Sequence, residues 1–394
     1  MAKCDEILKA MAEGEYDSLL KDLYGEENLD FQKERYTALL TNWGMIYGRT
    51  RTAAVYSMPY SVLLAGDGAD VSIPTDVDFL TVVDPNTTNV SRLRGLNYLG
   101  EDLIDLFQHG PYTVERDYSA GVLRGVQQAF LHYGLRKERG IALDSLDVYI
   151  DSFTAPRMGL DEPAHMAMAM AKMINDFTFG GQLSEKQLAD IVQFAMANYI
   201  HIDTYATDVY SSLRGKAVTG DFTNAEEPVI TEIDVDMCGC NIYLVDVDTT
   251  DVNIPDEEVD PRLDAFMDKL GGDIENLTEK DFYTALAGMA DVDREACLFL
   301  LDYYTQENFG RIYAANAVDG MGSPSVEHTV HDEKESLPGA SVWRCKANSR
   351  FWMTLCCVAE EAEEAFAAAM EKVFGEGCIL PVSPAKTAAG KVIG

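Results

Sequence analysis

The sequence is poor in basic residues. It has 31 lysines and arginines against 66 aspartates and glutamates, which gives a formal net charge of -35. A surface of that charge repels nucleic acid and anionic lipid, so the composition argues against both as partners. ATP and sugar phosphates are also anions, so a site for them would need basic side chains or backbone N–H groups gathered locally.

Long apolar runs are also missing. No stretch of about 20 apolar residues occurs, and the first residues, MAKCDEILKAMAEGEY, contain no apolar segment of signal-peptide length. We therefore expect a cytoplasmic protein that does not enter a membrane. The chain of 394 residues is 47% hydrophobic. That length predicts two or three domains of the usual ~100–200 residues and a large core.

Sequence motifs for metal binding and common catalytic chemistry are absent or incomplete. None of the eight cysteines forms a C-x-x-C pair, and we interpret them as reduced core thiols, Cys356 and Cys357 in a buried strand. His328 and His331 would suit zinc only on a helix, and their Ser, Pro and Gly neighbours favour a loop. The segment DVDTTDVN lacks the Gly and the distal Glu of a calcium loop. No G-x-S-x-G, P-loop or G-x-G-x-x-G occurs. We expect no metal site.

Hydrophobic patterning predicts a mixture of helices and strands. The chain begins with helices that break at Gly14 and Gly25. Further helices are expected at 118–135 and at 184–203, the latter with a Ser-x-x-Gln capping box, and strands at 77–85 and 143–153. This irregular order favours an α/β or α+β fold.

Two segments carry more specific expectations. PRMGLDEPAHMAMAMAKMI (156–174) reads as a loop that opens a buried helix, with Pro163 in the first turn and its methionines in the core. The acidic, β-rich stretch 223–261 indicates the start of a second domain. Helices are then expected from Pro261 to about Ala317.

Four segments, taken in order, resemble the motifs of the galactokinases, within the GHMP small-molecule kinases. PYSVLLAGDGADV (59–71) is similar to P-G-R-x-x-x-x-G-x-H-x-D, and APRMGLDEPA to P-x-G-x-G-L-S-S-S-A. YATDVYSSLRGK is similar to M-D-Q-x-x-S-x-x-G-K, and WRCKANSRFWMTLCCV to R-V-H-G-G-G-F-A-G-T. The resemblance implies the GHMP two-domain α/β fold. An S5-like domain would occupy residues 1–215 and a ferredoxin-like domain residues 216–394, with a cleft between them.

The sugar loop keeps only some of the residues that the family uses to hold and activate a sugar. Asp70 matches the family's sugar-binding Asp, and Asp67 stands at a Glu or Asn position, so both are candidate sugar contacts. Asp208 aligns with the catalytic Asp. However, Ser61 replaces the catalytic Arg and Gly68 replaces the His. Surface or helix-capping roles for these aspartates remain open.

The phosphate loop departs further from the family. Of its glycines only Gly159 remains, and its serines read Asp161, Glu162 and Pro163. Pro163 removes an N–H donor. A like-charge contact with phosphate at ~4 Å costs about 4 kcal/mol at an effective dielectric of 20. We therefore interpret this turn as an acidic helix cap that fills a former phosphate cradle.

The glycine-rich third motif is also replaced, by Ala-Asn-Ser-Arg-Phe-Trp at 347–352. Side chains there would fill the space that glycines leave open for substrates. Arg344 and Lys346 remain as candidate anion contacts.

Three functions follow from this reading. The first is a catalytically impaired galactokinase-like protein, a pseudokinase that binds a sugar or another small metabolite in carbohydrate metabolism and needs no cofactor. The second is an active sugar kinase that uses Mg-ATP in a rebuilt nucleotide site, with Asp208 as the base. The third is a structural or assembly protein without a ligand. A protein partner is compatible with the first and third.

Overall fold

The computed structural model describes residues 1–64, 71–95, 102–105, 118–135, 143–152, 162–201, 204–247, 256–271, 277–316 and 353–394. Within these ranges the helices are α1 (Cys4–Ala12), α2 (Asp17–Tyr24), α3 (Leu29–Trp43), α4 (Tyr118–His132), α5 (Glu162–Phe179), α6 (Glu185–Ala195), α7 (Ala206–Arg214), α8 (Asp256–Leu270), α9 (Glu279–Gly288), α10 (Arg294–Asn316) and α11 (Glu363–Phe374). The strands are β1 (Ala54–Leu64), β2 (Val71–Asn86), β3 (Val90–Gly95), β4 (Asp102–Asp105), β5 (Ser145–Ser152), β6 (Val218–Asp221), β7 (Val229–Glu232), β8 (Cys240–Asp246), β9 (Met353–Ala359), β10 (Ile379–Val382) and β11 (Gly390–Ile393).

A large sheet organises the first half of the chain. Among the described residues it has eight strands in the order β11-β1-β2-β5-β3-β4, with β6 beside β2 and β7 beside β6. The long strands β1 and β2 form an antiparallel pair whose register shifts between Pro59 and Ser61. Such a shift bends a strand and re-aims the side chains beyond it.

Both faces of this sheet are covered by helices. Alternate residues of β2 show the division, since side chains of a strand alternate between faces. Phe79 and Val83 belong to a core with helices α4 to α7, whereas Leu80 and Val82 pack with α1 to α3. Helix α5 is buried nearly all round, as its sequence predicted, and its methionines lie in the core.

A smaller sheet, β10-β8-β9, carries the rest of the chain with helices α8 to α11. The prediction of a buried strand at Cys356 and Cys357 is confirmed: both side chains are fully buried in β9. One boundary was wrong. Residues 256–261 do not continue the β-rich stretch but begin α8, with Pro261 inside the helix.

Several other predictions from the sequence are confirmed. Helices α4 and α6 occupy the predicted segments, and Ser184 and Gln187 form the expected capping box. Strand β5 matches its prediction, and β2 is longer than predicted at both ends. The division of the chain at residue 215 stays a prediction. Strand β11, from the end of the chain, pairs with β1 in the large sheet.

Candidate functional site

Asp208 lies in the first turn of α7, which packs against the end of β1 and the start of β2. Its side chain is buried, and the Ser72 hydroxyl donates to Asp208 Oδ1 at 2.7 Å. The Ser61 hydroxyl donates to the Asp208 backbone carbonyl at 3.3 Å. Ser61 and Ser72 lie on the two strands that flank the predicted sugar loop. The structure therefore brings two of the motif segments together, although 136 residues separate Ser72 from Asp208.

Helix α7 is fixed at its far end by a glycine. Gly215 follows the helix in the left-handed conformation, with φ of 62°. Its single N–H donates to the carbonyls of Ser211 and Ser212 and closes the last turn, an arrangement that glycine adopts without strain. A Cβ there would lie 2.3 Å from the backbone of Thr387. Close packing against that segment thus holds α7, and with it Asp208, in place.

Helix α7 buries three hydroxyl side chains, of Ser and Thr, besides its apolar ones. Thr207, Ser211 and Ser212 are each 0% exposed, and none of their hydroxyls has a hydrogen-bond partner among the described residues. A buried polar group without a partner costs about 1–3 kcal/mol. We call these three residues, with Asp208, Ser61 and Ser72, the hydroxyl-rich cluster; within it the Asp208 carboxylate accepts from Ser72.

The first turn of α5 adjoins the same strand end. Pro163 is buried there, and the His165 ring lies 4.6 Å from the Tyr60 ring, measured between centroids. Tyr60 precedes Ser61 in β1, so α5, β1 and α7 meet beside the hydroxyl-rich cluster. Proline has no N–H, so this helix start has one donor fewer to offer an anion.

The other candidate residues cannot be placed. Asp67, Asp70, Gly159, Asp161, Arg344 and Lys346 lie outside the described residues, as does the side chain of Glu162. Their roles, and the filled-in phosphate cradle, stay predictions. Across the described part of the chain, no group of three or more His, Cys, Asp or Glu side chains is arranged to hold a metal ion.

Sequence reasoning missed a buried charged cluster under the N-terminal helices. Arg35 of α3 donates to Asp78 of β2 at 2.6 Å and to Asp151 of β5 at 3.1 Å, and Tyr24 and Ser57 also donate to the Asp78 carboxylate. Burial lowers the pKa of Arg35, but Asp78 and Asp151 outweigh it and raise that pKa overall. The alternation of Asp with apolar residues in β2 and β5 was the available signal.

A second cluster lies on the same face of the sheet, where Arg51 and Arg92 both donate to the buried carboxylate of Asp147. Arg51 also donates to Asp84 at 2.8 Å. Burial raises the pKa of Asp147, but the hydrogen bonds from the two arginines outweigh it and lower that pKa overall. Both clusters lie beneath helices α1 to α3, so we assign them to anchoring those helices.

Asp76 joins the two sheets. Its backbone N–H donates to the Ser383 carbonyl at 2.7 Å, and the Ser383 N–H donates to Asp76 Oδ1 at 2.8 Å. Ser383 directly follows β10 of the smaller sheet, whereas Asp76 belongs to β2 of the larger one. Burial raises the pKa of Asp76 to about 6, although the hydrogen bond from Ser383 opposes the shift.

None of the helices in the described ranges is both long and apolar enough to cross a membrane. A scan against protein-family models matched none, and a search of curated proteins gave no match by sequence. Solved structures do match. One is the crystal structure of Lactococcus lactis galactokinase complexed with galactose, which is 12% identical, with a TM-score of 0.53. The match covers 91% of this chain and 99% of the galactokinase chain. A putative sugar kinase from Campylobacter jejuni is 11% identical, with a TM-score of 0.50; the match covers 86% of this chain and 98% of the Campylobacter chain. The match extends over most of the chain, and the chain therefore has the mixed α/β fold of the GHMP kinases, galactokinase among them.

Proposed function

We propose that this protein binds a sugar or another polyhydroxylated small metabolite and does not transfer phosphate to it. The observation that carries the proposal is the buried Asp208 carboxylate, which accepts from Ser72, on a helix that buries three further hydroxyls without partners in the described part of the chain. The structural neighbours support it, because one is a galactokinase complexed with galactose and another a putative sugar kinase.

The chemistry of the hydroxyl-rich cluster suits a sugar. A carboxylate accepts hydrogen bonds, and a hydroxyl both donates and accepts, so together they match the alternating needs of sugar hydroxyl groups. Hydrogen bonds to an ionised group are roughly twice as strong as neutral ones. Hydroxyls that are buried without partners in the free protein would recover part of their desolvation cost on contact with a ligand.

The absence of phosphoryl transfer is proposed from two substitutions. At the place of the family's catalytic Arg stands Ser61, whose neutral hydroxyl contacts the Asp208 backbone. Phosphoryl transfer relies on cations and N–H donors that stabilise the charge of the transferring group. Pro163 removes one such donor from the start of α5, and the sequence places Asp161 and Glu162 beside it. These changes weaken nucleotide binding and catalysis together.

The proposal is tested by thermal unfolding with a panel of hexoses, with and without Mg-ATP, and by an assay for ADP release. We expect a sugar to raise the unfolding temperature without ATP, since a ligand at a hundredfold excess over its Kd stabilises by about 2.7 kcal/mol. Asp208→Asn should abolish this response. The matched control is Asp22→Asn, on the exposed side of α2, which should retain it.

Two outcomes contradict the proposal in different ways. Release of ADP that depends on a sugar and is lost in Asp208→Asn would overturn the non-catalytic half and establish a kinase with a rebuilt nucleotide site. No response to any sugar, with or without Mg-ATP, would overturn the binding half and leave a structural role.

A further inference from the structure

Three cysteines and an arginine meet at the start of β8, away from the site described above. We call Cys238, Cys240, Cys357 and Arg311 the thiol cluster. Arg311 Nη2 lies 3.3 Å from Cys240 Sγ, and the Cys238 thiol lies 3.8 Å from the Arg311 carbonyl. Cys240 and Cys357 face the same core from the neighbouring strands β8 and β9. The sequence alone suggested only inert core thiols here.

The guanidinium of Arg311, which is an exposed residue, is held by the buried side chain of Asn308. Arg311 donates to Asn308 Oδ1 at 2.5 Å, and the Asn308 amide donates to the Cys357 carbonyl at 2.6 Å. The same amide also donates to the Glu279 carboxylate at 3.1 Å. A cation held in this way beside a sulfur atom favours its thiolate form.

A tight turn leads from the surface to Cys240. Cys238 and Gly239 are both in the left-handed conformation, and the Cys240 N–H donates to the Met237 carbonyl at 2.9 Å. Cys238 is half-buried, whereas Cys240 is 2% exposed. Cys240 is thus the last residue of a four-residue turn whose other three residues are half-buried or exposed. A thiol that is exposed so little admits a small oxidant more readily than a macromolecule.

We propose that Cys240 is a peroxide-reactive thiol and that Cys357 is its resolving partner. The Cys240 thiolate attacks a peroxide oxygen. An S–O bond forms, the O–O bond breaks and, with a proton, hydroxide leaves as water. The Cys357 thiol then attacks the sulfur of the resulting sulfenic acid, an S–S bond forms and a second water leaves. The peroxide is reduced by two electrons and the two thiols are oxidised to a disulfide.

The different pKa shifts of the two thiols support this assignment of roles. The hydrogen bond from Cys357 lowers the pKa of Cys240, and Arg311 lowers it further, which together outweigh burial. The same hydrogen bond, together with burial, raises the pKa of Cys357 well above its usual value. Burial also raises the pKa of the Cys4 and Cys378 thiols, each to about 11. Cys240 therefore supplies the more readily formed thiolate.

The register of the strands allows the disulfide only with a local shift of the backbone. Cys240 pairs with Ala359, and Cys357 pairs with Ile242, so the two cysteines are diagonal neighbours. Bond formation requires closer approach of the backbones than a diagonal pair normally has. In the described sheet β9 lies at the edge, and Cys357 is held there by two contacts with α10: its carbonyl accepts from the Asn308 amide at 2.6 Å, and its N–H donates to the Thr305 hydroxyl at 3.0 Å. Formation of the disulfide therefore strains these contacts. A bond formed in this way would be readily reduced again.

The test treats the intact protein with hydrogen peroxide, counts free thiols after denaturation and maps disulfides by mass spectrometry. We expect two fewer thiols than the eight of the untreated chain, a Cys240–Cys357 peptide, and recovery of both thiols with a reductant. In Cys357→Ser, Cys240 should stay as a sulfenic acid that a 1,3-diketone labels. Arg311→Met should slow the oxidation about tenfold, the effect of one pKa unit on the thiolate fraction.

Two controls separate this pair from its neighbours. Cys238→Ser removes the half-buried thiol of the turn, and Cys356→Ser removes the residue beside Cys357 that faces the opposite core; both should still form the disulfide. An unchanged thiol count, a Cys238–Cys240 bond, or oxidation confined to another cysteine would overturn the proposal. The mapping on the unmodified chain decides the matter even if a variant fails to fold.

Discussion

Removal of the Arg35 side-chain charge should destabilise the protein far more than removal of a surface charge. Arg35→Met keeps a flexible apolar side chain but leaves Asp78 and Asp151 without the cation that contacts both. These three side chains are 6%, 2% and 11% exposed, so water cannot replace the lost contacts. Breaking a buried ion pair by removing one partner costs about 3–5 kcal/mol. The hydrogen bonds from Tyr24 and Ser57 to Asp78 remain and place the expected loss toward the lower end.

The loss is measured by urea unfolding followed by circular dichroism and tryptophan fluorescence. With an m value of about 3 kcal/mol/M, the midpoint should fall by about 1–2 M. The control is Lys9→Met, which removes an exposed pair with Glu13 and should move the midpoint little. A fall no larger than that of the control would refute the anchoring role of the cluster.

Two further predictions concern the contact between the two sheets and the end of α7. The pKa of Asp76 is raised to about 6, so its contribution to stability is full below its ordinary value of 3.8 and is lost as the pH rises through about 6. Asp76→Asn should therefore raise the free energy of unfolding at pH 7.5 by up to about 3 kcal/mol, seen as a higher urea midpoint, and give no gain near pH 4. An equal effect at both pH values would contradict the raised pKa. Gly215→Ala should cost at least about 2 kcal/mol, because its Cβ would collide with the backbone at 387–388. The control Gly271→Ala also has positive φ but meets nothing within 4 Å, so a thermal scan should show a smaller loss.

Much of the fold was predictable because its signals are local. The capping box at Ser184 predicts where α6 begins, and the spacing of Met and Ala in α5 predicts a helix that is buried nearly all round. The error at Pro261 has the same origin. The acidic residues before it were interpreted as part of a β-rich stretch, but Pro261 is the sixth residue of α8, and the helix continues through it at the loss of one backbone hydrogen bond.

The charged clusters were not predictable in the same way. Asp78 and Asp147 look like ordinary acidic residues in an acidic chain, and only the approach of Arg35 and Arg51 from elsewhere makes them buried ion pairs. The site is an intermediate case. The resemblance selected Asp208, but its contact with Ser72 depends on the strand pairing of β1 with β2, which no local pattern specifies.

The three buried hydroxyls of α7 provide a test of whether the protein binds a ligand at this place. If the fold served only packing, alanine and valine would suit the buried positions 207, 211 and 212 better, because each unpartnered hydroxyl costs about 1–3 kcal/mol. The variant Thr207→Val, Ser211→Ala, Ser212→Ala should therefore raise the unfolding temperature of the free protein. A site that binds a sugar would at the same time lose its thermal response to that sugar, since stability and function often oppose each other at such positions. Gain of stability with an unchanged sugar response would show that these hydroxyls take no part in binding, and loss of stability would show that they have partners in the native protein.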